Sequence, residues 1–184
     1  MDKEKYIIEN AKSLFAEIGY KGTTMDLLAT KCDMGKGTLY LYYSSKEDVL
    51  KSIVDQLLNT IKDKANAIEN QNISLNEQIM MFLHEMLSFK QEQIMVAKLV
   101  FEAKQMGNQT VNKYIEQIDN CIIETLTNKI DKAIKDNHIK ECNSKFLAFI
   151  IFKIYMLLVL EWEQKSNEKL TENELFSLVE NLFK

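Results

Sequence analysis

Residues 25–42 carry the arrangement best suited to acting on another molecule. Two short helical patterns, Met25 to Cys32 and Lys36 to Tyr42, flank the turn Asp33-Met34-Gly35. Helices joined in this way form a helix-turn-helix, whose second helix can enter the major groove of DNA. The turn residues suit the task. Asp33 stands where the backbone must go left-handed, which Asp tolerates better than most residues. Met34 is placed to plug the gap between the helices. Gly35 opens the second helix, where a cap or a bare amide is needed. Leu27, Leu28 and Ala29 are expected to pack one helix on the other. A small αα-hairpin inside a helical core has the same spacing, so the pattern alone leaves both readings open.

Other reactive side chains are scattered. His84 and His138 are far apart, and no serine-histidine pair or glycine-rich phosphate loop stands out. His138 and Cys142 have i,i+4 spacing and could join Cys121 in a metal site, but such sites need three or four ligands. The expectation is therefore no catalytic residue, no metal and no cofactor, with a metal-dependent enzyme as a lesser alternative. The cysteines, Cys32, Cys121 and Cys142, are odd in number and suggest no disulfide framework, which fits a reducing cytoplasm. The charged opening Met1 to Lys5 does not look like a signal peptide.

The elements that position these residues are helical. The chain of 184 residues is 46% hydrophobic and 27% charged, with no proline and five glycines. A core is affordable in apolar material, disorder is not indicated, and few breakers interrupt the helical runs. All basic charge is lysine, and the net charge is −4. That argues against a general nucleic-acid coating protein but leaves room for a local basic face. The apolar run Phe146 to Leu160 is interrupted by Lys153 and is shorter than the roughly 20 residues of a membrane span. It reads as a buried or interface helix.

Periodicity and capping residues predict about nine helices. The first runs from Lys3 to Ile18, with Ile7, Ala11, Leu14, Phe15 and Ile18 inward and Gly19 as a left-handed cap. Thr24 caps the second helix. Ser45 with Asp48, or Ser44 with Glu47, opens a fourth that reaches Glu69, and Ser74 with Glu77 opens a fifth. A sixth covers Glu92 to Gln105, and a seventh Thr110 to Lys135. Asn143 or Ser144 opens an eighth lasting to Gln164, and Thr171 with Glu174 a ninth. The expected fold is all-α. A three-helix helix-turn-helix domain (1–50) joins through a long helix to a helical bundle (51–184).

The stretch from Ile8 to Leu50 resembles the DNA-binding domain of tetracycline-repressor-like (TetR) regulators. The matching elements are Ala11, Leu14-Phe15, Gly19-Tyr20, Thr23-Thr24, Leu28-Ala29, Gly37-Thr38-Leu39-Tyr40, Tyr43 and Ser45-Lys46-Glu47. Three positions depart: Asp33 replaces the usual glycine, Gly35 a frequent serine, and Tyr42-Tyr43 a common His-Phe pair. Each keeps the physical requirement of its position. The resemblance implies that Tyr40, Tyr42 and Lys46 bind phosphates and that Thr24 donates to another. Lys36, Gly37, Thr38 and Leu41 would face base edges. Lys36 can donate to guanine O6 or N7, and Thr38 or Leu41 can touch a thymine methyl. Residues 1–50 hold no excess of lysine over acid, so Lys36 and Lys46 should share one face and the acids lie elsewhere.

The remainder of the chain would be sensor and dimer interface. The resemblance implies a homodimer on pseudo-palindromic operator DNA, with helices eight and nine forming a four-helix bundle through Phe149, Leu157, Leu175, Leu178 and Leu182. It also implies a pocket for a small apolar or amphipathic effector among helices five to eight. Candidate lining residues are Phe82, Met86, Met95, Leu99, Glu102, Tyr114, Ile118 and Tyr155. For each of them, ordinary core is the alternative. Glu102, His84 and Lys153 could anchor a ligand or simply face solvent. The expected mechanism is a population shift in which helix six moves against helix four. The expected product is a cytoplasmic repressor without membrane contact. A helical scaffold or membrane-surface module is the alternative from another class.

Overall fold

A computed structural model of the chain describes residues 2–69, 71, 73–88, 90–157, 174 and 177. Among the described residues there are eight helices and no strands: α1 (Lys3–Gly22), α2 (Met25–Lys31), α3 (Lys36–Tyr40), α4 (Lys46–Glu69), α5 (Leu75–Ser88), α6 (Lys90–Met106), α7 (Gln109–Lys135) and α8 (Ser144–Leu157). The fold is all-α, as the sequence implies. None of the described helices is long and apolar enough to cross a membrane. The chain forms two compact units, residues 1–59 with 89–118 and residues 60–88 with 119–184.

In the first unit, Asp2 caps α1 by accepting the Glu4 N–H at 3.0 Å. Ile7, Ala11, Leu14 and Phe15 are buried on its inner face. α6 packs along α1, α2 against α1, and α3 against α2. Two expectations about α1 are corrected. The helix does not stop at Ile18. It kinks at Gly19 (φ 78°, ψ 173°) and continues to Gly22, because Gly can take this backbone region and then let the helix resume. Ile18 is 43% exposed. The kink turns the chain away just beyond it, and its side chain instead lies against Gly22.

Other boundaries shift for similar local reasons. α3 ends at Tyr40 and not Tyr42, with Leu41 closing a tighter turn onto Thr38. Leu27 is 44% exposed and does not join Leu28 and Ala29 in the packing. At α4, Ser45 accepts the Asp48 N–H at 3.1 Å, but the Asp48 carboxylate accepts from the Ser44 hydroxyl. The cap is thus shared between the two serines that the sequence offers as alternatives.

In the second unit, the Ser74–Glu77 capping box is complete. Glu77 accepts the Ser74 N–H at 2.8 Å, and Ser74 Oγ accepts the Glu77 N–H at 3.3 Å. Ile79, Phe82 and Leu83 of α5 are buried, as are Ile122, Leu126 and Ile130 of α7 and Ile151, Phe152 and Tyr155 of α8. Asn137 (φ 58°) ends α7, and Asn143 caps α8 by accepting the Phe146 N–H at 3.0 Å. Leu175, Leu178 and Leu182 of the expected ninth helix lie outside the described residues, as do Thr171 and the expected extension of helix eight to Gln164.

Candidate nucleic-acid interface

The reading head is built from its caps inward. Thr24 Oγ1 accepts the Leu27 N–H at 3.2 Å and starts α2. Leu28 and Ala29 bury one face of that helix. Cys32 ends it, and burial pushes its thiol pKa up. Asp33 has φ 51°, the left-handed turn its position requires. The Met34 N–H then returns to Ala29 O at 2.9 Å, which folds the turn back on α2. Gly35 caps α3 with no side-chain bond, while its carbonyl accepts from Thr38 and Leu39. Leu39 alone in α3 is fully buried.

That single anchor leaves the rest of α3 facing outward. Lys36, Gly37, Thr38 and Tyr40 are exposed, and Leu41, just past the helix end, is 84% exposed. A Cβ placed on Gly37 would meet nothing within 4 Å, so the backbone there is open to close approach. A single exposed leucine is ordinary, but at this position it is free to meet an apolar group. A thymine methyl is one such group. Tyr42 is half-buried, and Tyr43 packs beside α4 with its hydroxyl 3.4 Å from Ser52 Oγ.

The lysines are not free point charges. Lys36 Nζ lies 2.6 Å from Asp26 Oδ2, both side chains being exposed. The expectation that the acids lie elsewhere is therefore corrected, because Asp26 in the first turn of α2 reaches the lysine at the start of α3. Lys46 Nζ donates to Tyr20 O at 2.9 Å and Thr23 O at 3.0 Å and sits 4.5 Å from the Tyr20 ring centroid. Burial lowers its pKa, against the opposing field of Glu102. Lys46 thus clasps the corner between α1 and α2 with two of its three N–H donors. Lys31 binds α2 to α1 through Glu17 (2.7 Å) and Ser13 (2.9 Å) and holds the Glu17 carboxyl below its ordinary range. Neither Asp26 nor the clasp by Lys46 is visible in local sequence, since the partners lie 10 and 26 positions away.

The candidate effector residues divide between the units. Met95, Leu99, Glu102, Tyr114 and Ile118 are buried in the first, and Phe82 and Tyr155 in the second. The Met86 side chain lies outside the described residues. Glu102, whose setting the sequence leaves open, is buried and accepts the Lys21 N–H at 3.3 and 3.2 Å. Lys153 pairs with Asp119 at 2.7 Å over the rings of Phe149 and Phe152, and His84 is exposed. Among the described residues no three His, Cys, Asp or Glu side chains converge as metal ligands.

Comparison with known proteins agrees with this geometry. Residues 7–53 match the model of the bacterial regulatory proteins of the tetR family. Over 180 residues, 98% of this chain and 94% of the relative, the sequence is 31% identical to an uncharacterized HTH-type transcriptional regulator of Bacillus subtilis, YhgD. It is 24% identical over 145 residues to IcaR of Staphylococcus epidermidis, the HTH-type negative transcriptional regulator of the biofilm operon icaADBC, covering 79% of this chain and 76% of that one. In structure it resembles a putative fatty acid metabolism regulator of Clostridium perfringens, with TM-score 0.78 and 22% identity over 97% of this chain and 96% of that one. The chain belongs to the tetR family of bacterial regulatory proteins and is a helix-turn-helix transcriptional regulator that binds DNA.

Proposed function

We propose that the protein is a homodimeric repressor of a pseudo-palindromic operator, released by a small apolar or amphipathic effector. The outward face of α3 carries this reading: one buried leucine holds the helix, while Lys36, Gly37, Thr38, Tyr40 and Leu41 stand clear. Lys36, Gly37, Thr38 and Leu41 meet base edges. Thr24, Tyr40, Tyr42 and Lys46 meet phosphates, which position the helix without reading sequence. Residues 1–50 act as the reader and 51–184 as the sensor and dimer part.

Repression is favoured by the name of the S. epidermidis relative, a negative regulator. An amphipathic effector is favoured by the C. perfringens neighbour, named for fatty acid metabolism. Dimerisation is supported by the exposed apolar side chains Phe146, Phe149 and Leu157 on α8. In a two-fold dimer the two reading helices would lie about 34–36 Å apart, one turn of DNA. A DNA target supports a cytoplasmic site of action.

In vitro selection from a random duplex pool, using the full chain, tests the proposal. Two inverted half-sites about one helical turn apart should emerge. The double change Tyr42→Ala, Lys46→Ala should weaken binding to that operator strongly. Recovery of no preferred sequence would favour a helical scaffold instead.

A further inference from the structure

Glu102 is one of three buried polar or charged side chains among the described residues, at 4% exposure. It lies on α6 in line with Met95 and Leu99, both fully buried, at helical spacings of four and three. Its carboxylate meets the corner between α1 and α2. Both oxygens share one donor, the Lys21 N–H. A Cβ on Gly19 would lie 1.8 Å from Glu102 Oε1. A side chain at Gly19 would thus be strained at φ 78° and would also push this carboxylate aside.

The corner has two further ties. Thr23 is buried and donates through Oγ1 to Gly19 O at 2.7 Å. Lys46, at the start of α4, holds Tyr20 O and Thr23 O. The next residue, Thr24, is the cap of α2. A chain of direct contacts therefore runs from α6 through Glu102 to the corner and into the reading head.

We propose that Glu102 is the positioning residue through which α6 sets the register of the α1–α2 corner, and with it the reading head. This rests on the regulator function proposed above and names its transmission route, α6 to α1. It replaces the expected movement of α6 against α4 as the first step. The physical reason is the shortage of donors. A carboxylate offers about four acceptor sites, and among the described residues one N–H serves both oxygens. The spare acceptor sites let the carboxylate exchange this one donor for water without breaking a closed network. A small shift of α6 that lets it reach water gives the corner a second arrangement. An effector seated against Met95 and Leu99 would act on the same helical face.

The test uses the full chain and the selected operator duplex as the probe, so no effector is required. By reciprocity, DNA on the head must be felt on α6. In the wild type, operator binding should slow hydrogen exchange at Lys21 and along residues 98–103 by about fivefold or more. Glu102→Ala should erase the response on 98–103 while leaving protection of α2 and α3 by DNA. Glu102→Gln, which keeps one acceptor and the same size, should retain part of it. An α6 response equal in all three proteins, or absent from the wild type bound to operator, overturns the proposal.

A second arm guards against misfolding. Gly19→Ala should weaken operator binding more in the wild type than in the Glu102→Ala background, where only the φ penalty remains. Equal losses in both backgrounds overturn the contact. Failure to select any duplex would sink the regulator reading itself, whereas a selected operator with an unchanged α6 response sinks only this inference.

Discussion

In the proposed complex, the Asp26–Lys36 pair gives a head without arginine or a basic excess a way to discriminate. An exposed pair of this kind is worth at most about 1 kcal/mol, so DNA can break it cheaply. Its effect is on choice. A phosphate that takes Lys36 leaves Asp26 facing like charge. A guanine·cytosine pair can satisfy both, since guanine offers O6 and N7 and cytosine offers its N4 donor. Asp26→Asn should therefore raise binding to random duplex several-fold and flatten base preference near the Lys36 contact. Lys36→Ala should cost about 1–3 kcal/mol on operator and relax one guanine position per half-site. Selection logos and binding to random duplex measure both. An Asp26→Asn logo and random-duplex affinity identical to wild type would remove Asp26 from the reading. The sequence shows the turn residues, because their roles depend on chain neighbours. It conceals the partners of Asp26, Lys46 and Glu102, which arrive only through packing.

At the scale of the element, caps were legible and the resumption of a helix beyond a break was not. Thr24, Gly35, Ser74 and Asn143 each satisfy or start a helix where the sequence places a short polar residue or glycine. Thr24→Ala should cost about 1 kcal/mol of stability through the lost cap, and more operator affinity than that figure alone implies if the hydroxyl also meets a phosphate. Matched thermal melts and operator titrations separate the two. The positive φ expected at Gly19 is present and interrupts the helix there, but the further turn to Gly22 is not marked in local sequence. Lys129 on α7 is another residue that periodicity could not place. It is buried, with one bond to Ala65 O at 3.3 Å, and burial lowers its pKa from 10.5. Burial disfavours the charged ammonium, and the nearby Glu69 carboxylate offsets only part of that cost. As pH rises through the lowered folded value, the unfolded chain binds more protons, and this contribution to stability increases. Lys129→Met should therefore raise Tm by about 2–4 °C at pH 7, corresponding to about 1 kcal/mol. The gain should shrink as pH approaches 10. A gain independent of pH would mean that the ammonium is not the cause.

For the whole molecule, the all-helical class followed from composition and period, whereas the two compact units did not. They interleave stretches of chain, 1–59 with 89–118 and 60–88 with 119–184, and contacts between distant stretches leave no mark on local spacing. The proposed dimer is legible by a different route. α8 is apolar on more than one face, and in the folded chain Ile151, Phe152 and Tyr155 are buried while Phe146, Phe149 and Leu157 are not. Helix apolarity beyond what the protein's own core can use calls for a partner. Phe149 is the sharper place to test this, because Lys153 lies over its ring at 5.6 Å and pairs with Asp119 on the same surface. Phe149→Glu puts a charge into the proposed seam while leaving the buried side of α8 intact. Sedimentation should show a shift from dimer to monomer, with Tm at high protein concentration falling toward the monomer's value. Operator binding should fall toward the 10⁻⁴–10⁻⁶ M range of about nonspecific strength, because one half-site cannot supply both anchors. The salt dependence should also become shallower, since half the phosphate contacts are lost. A Phe149→Glu protein that stays dimeric and binds operator as the wild type does would place the dimer seam elsewhere than this face of α8.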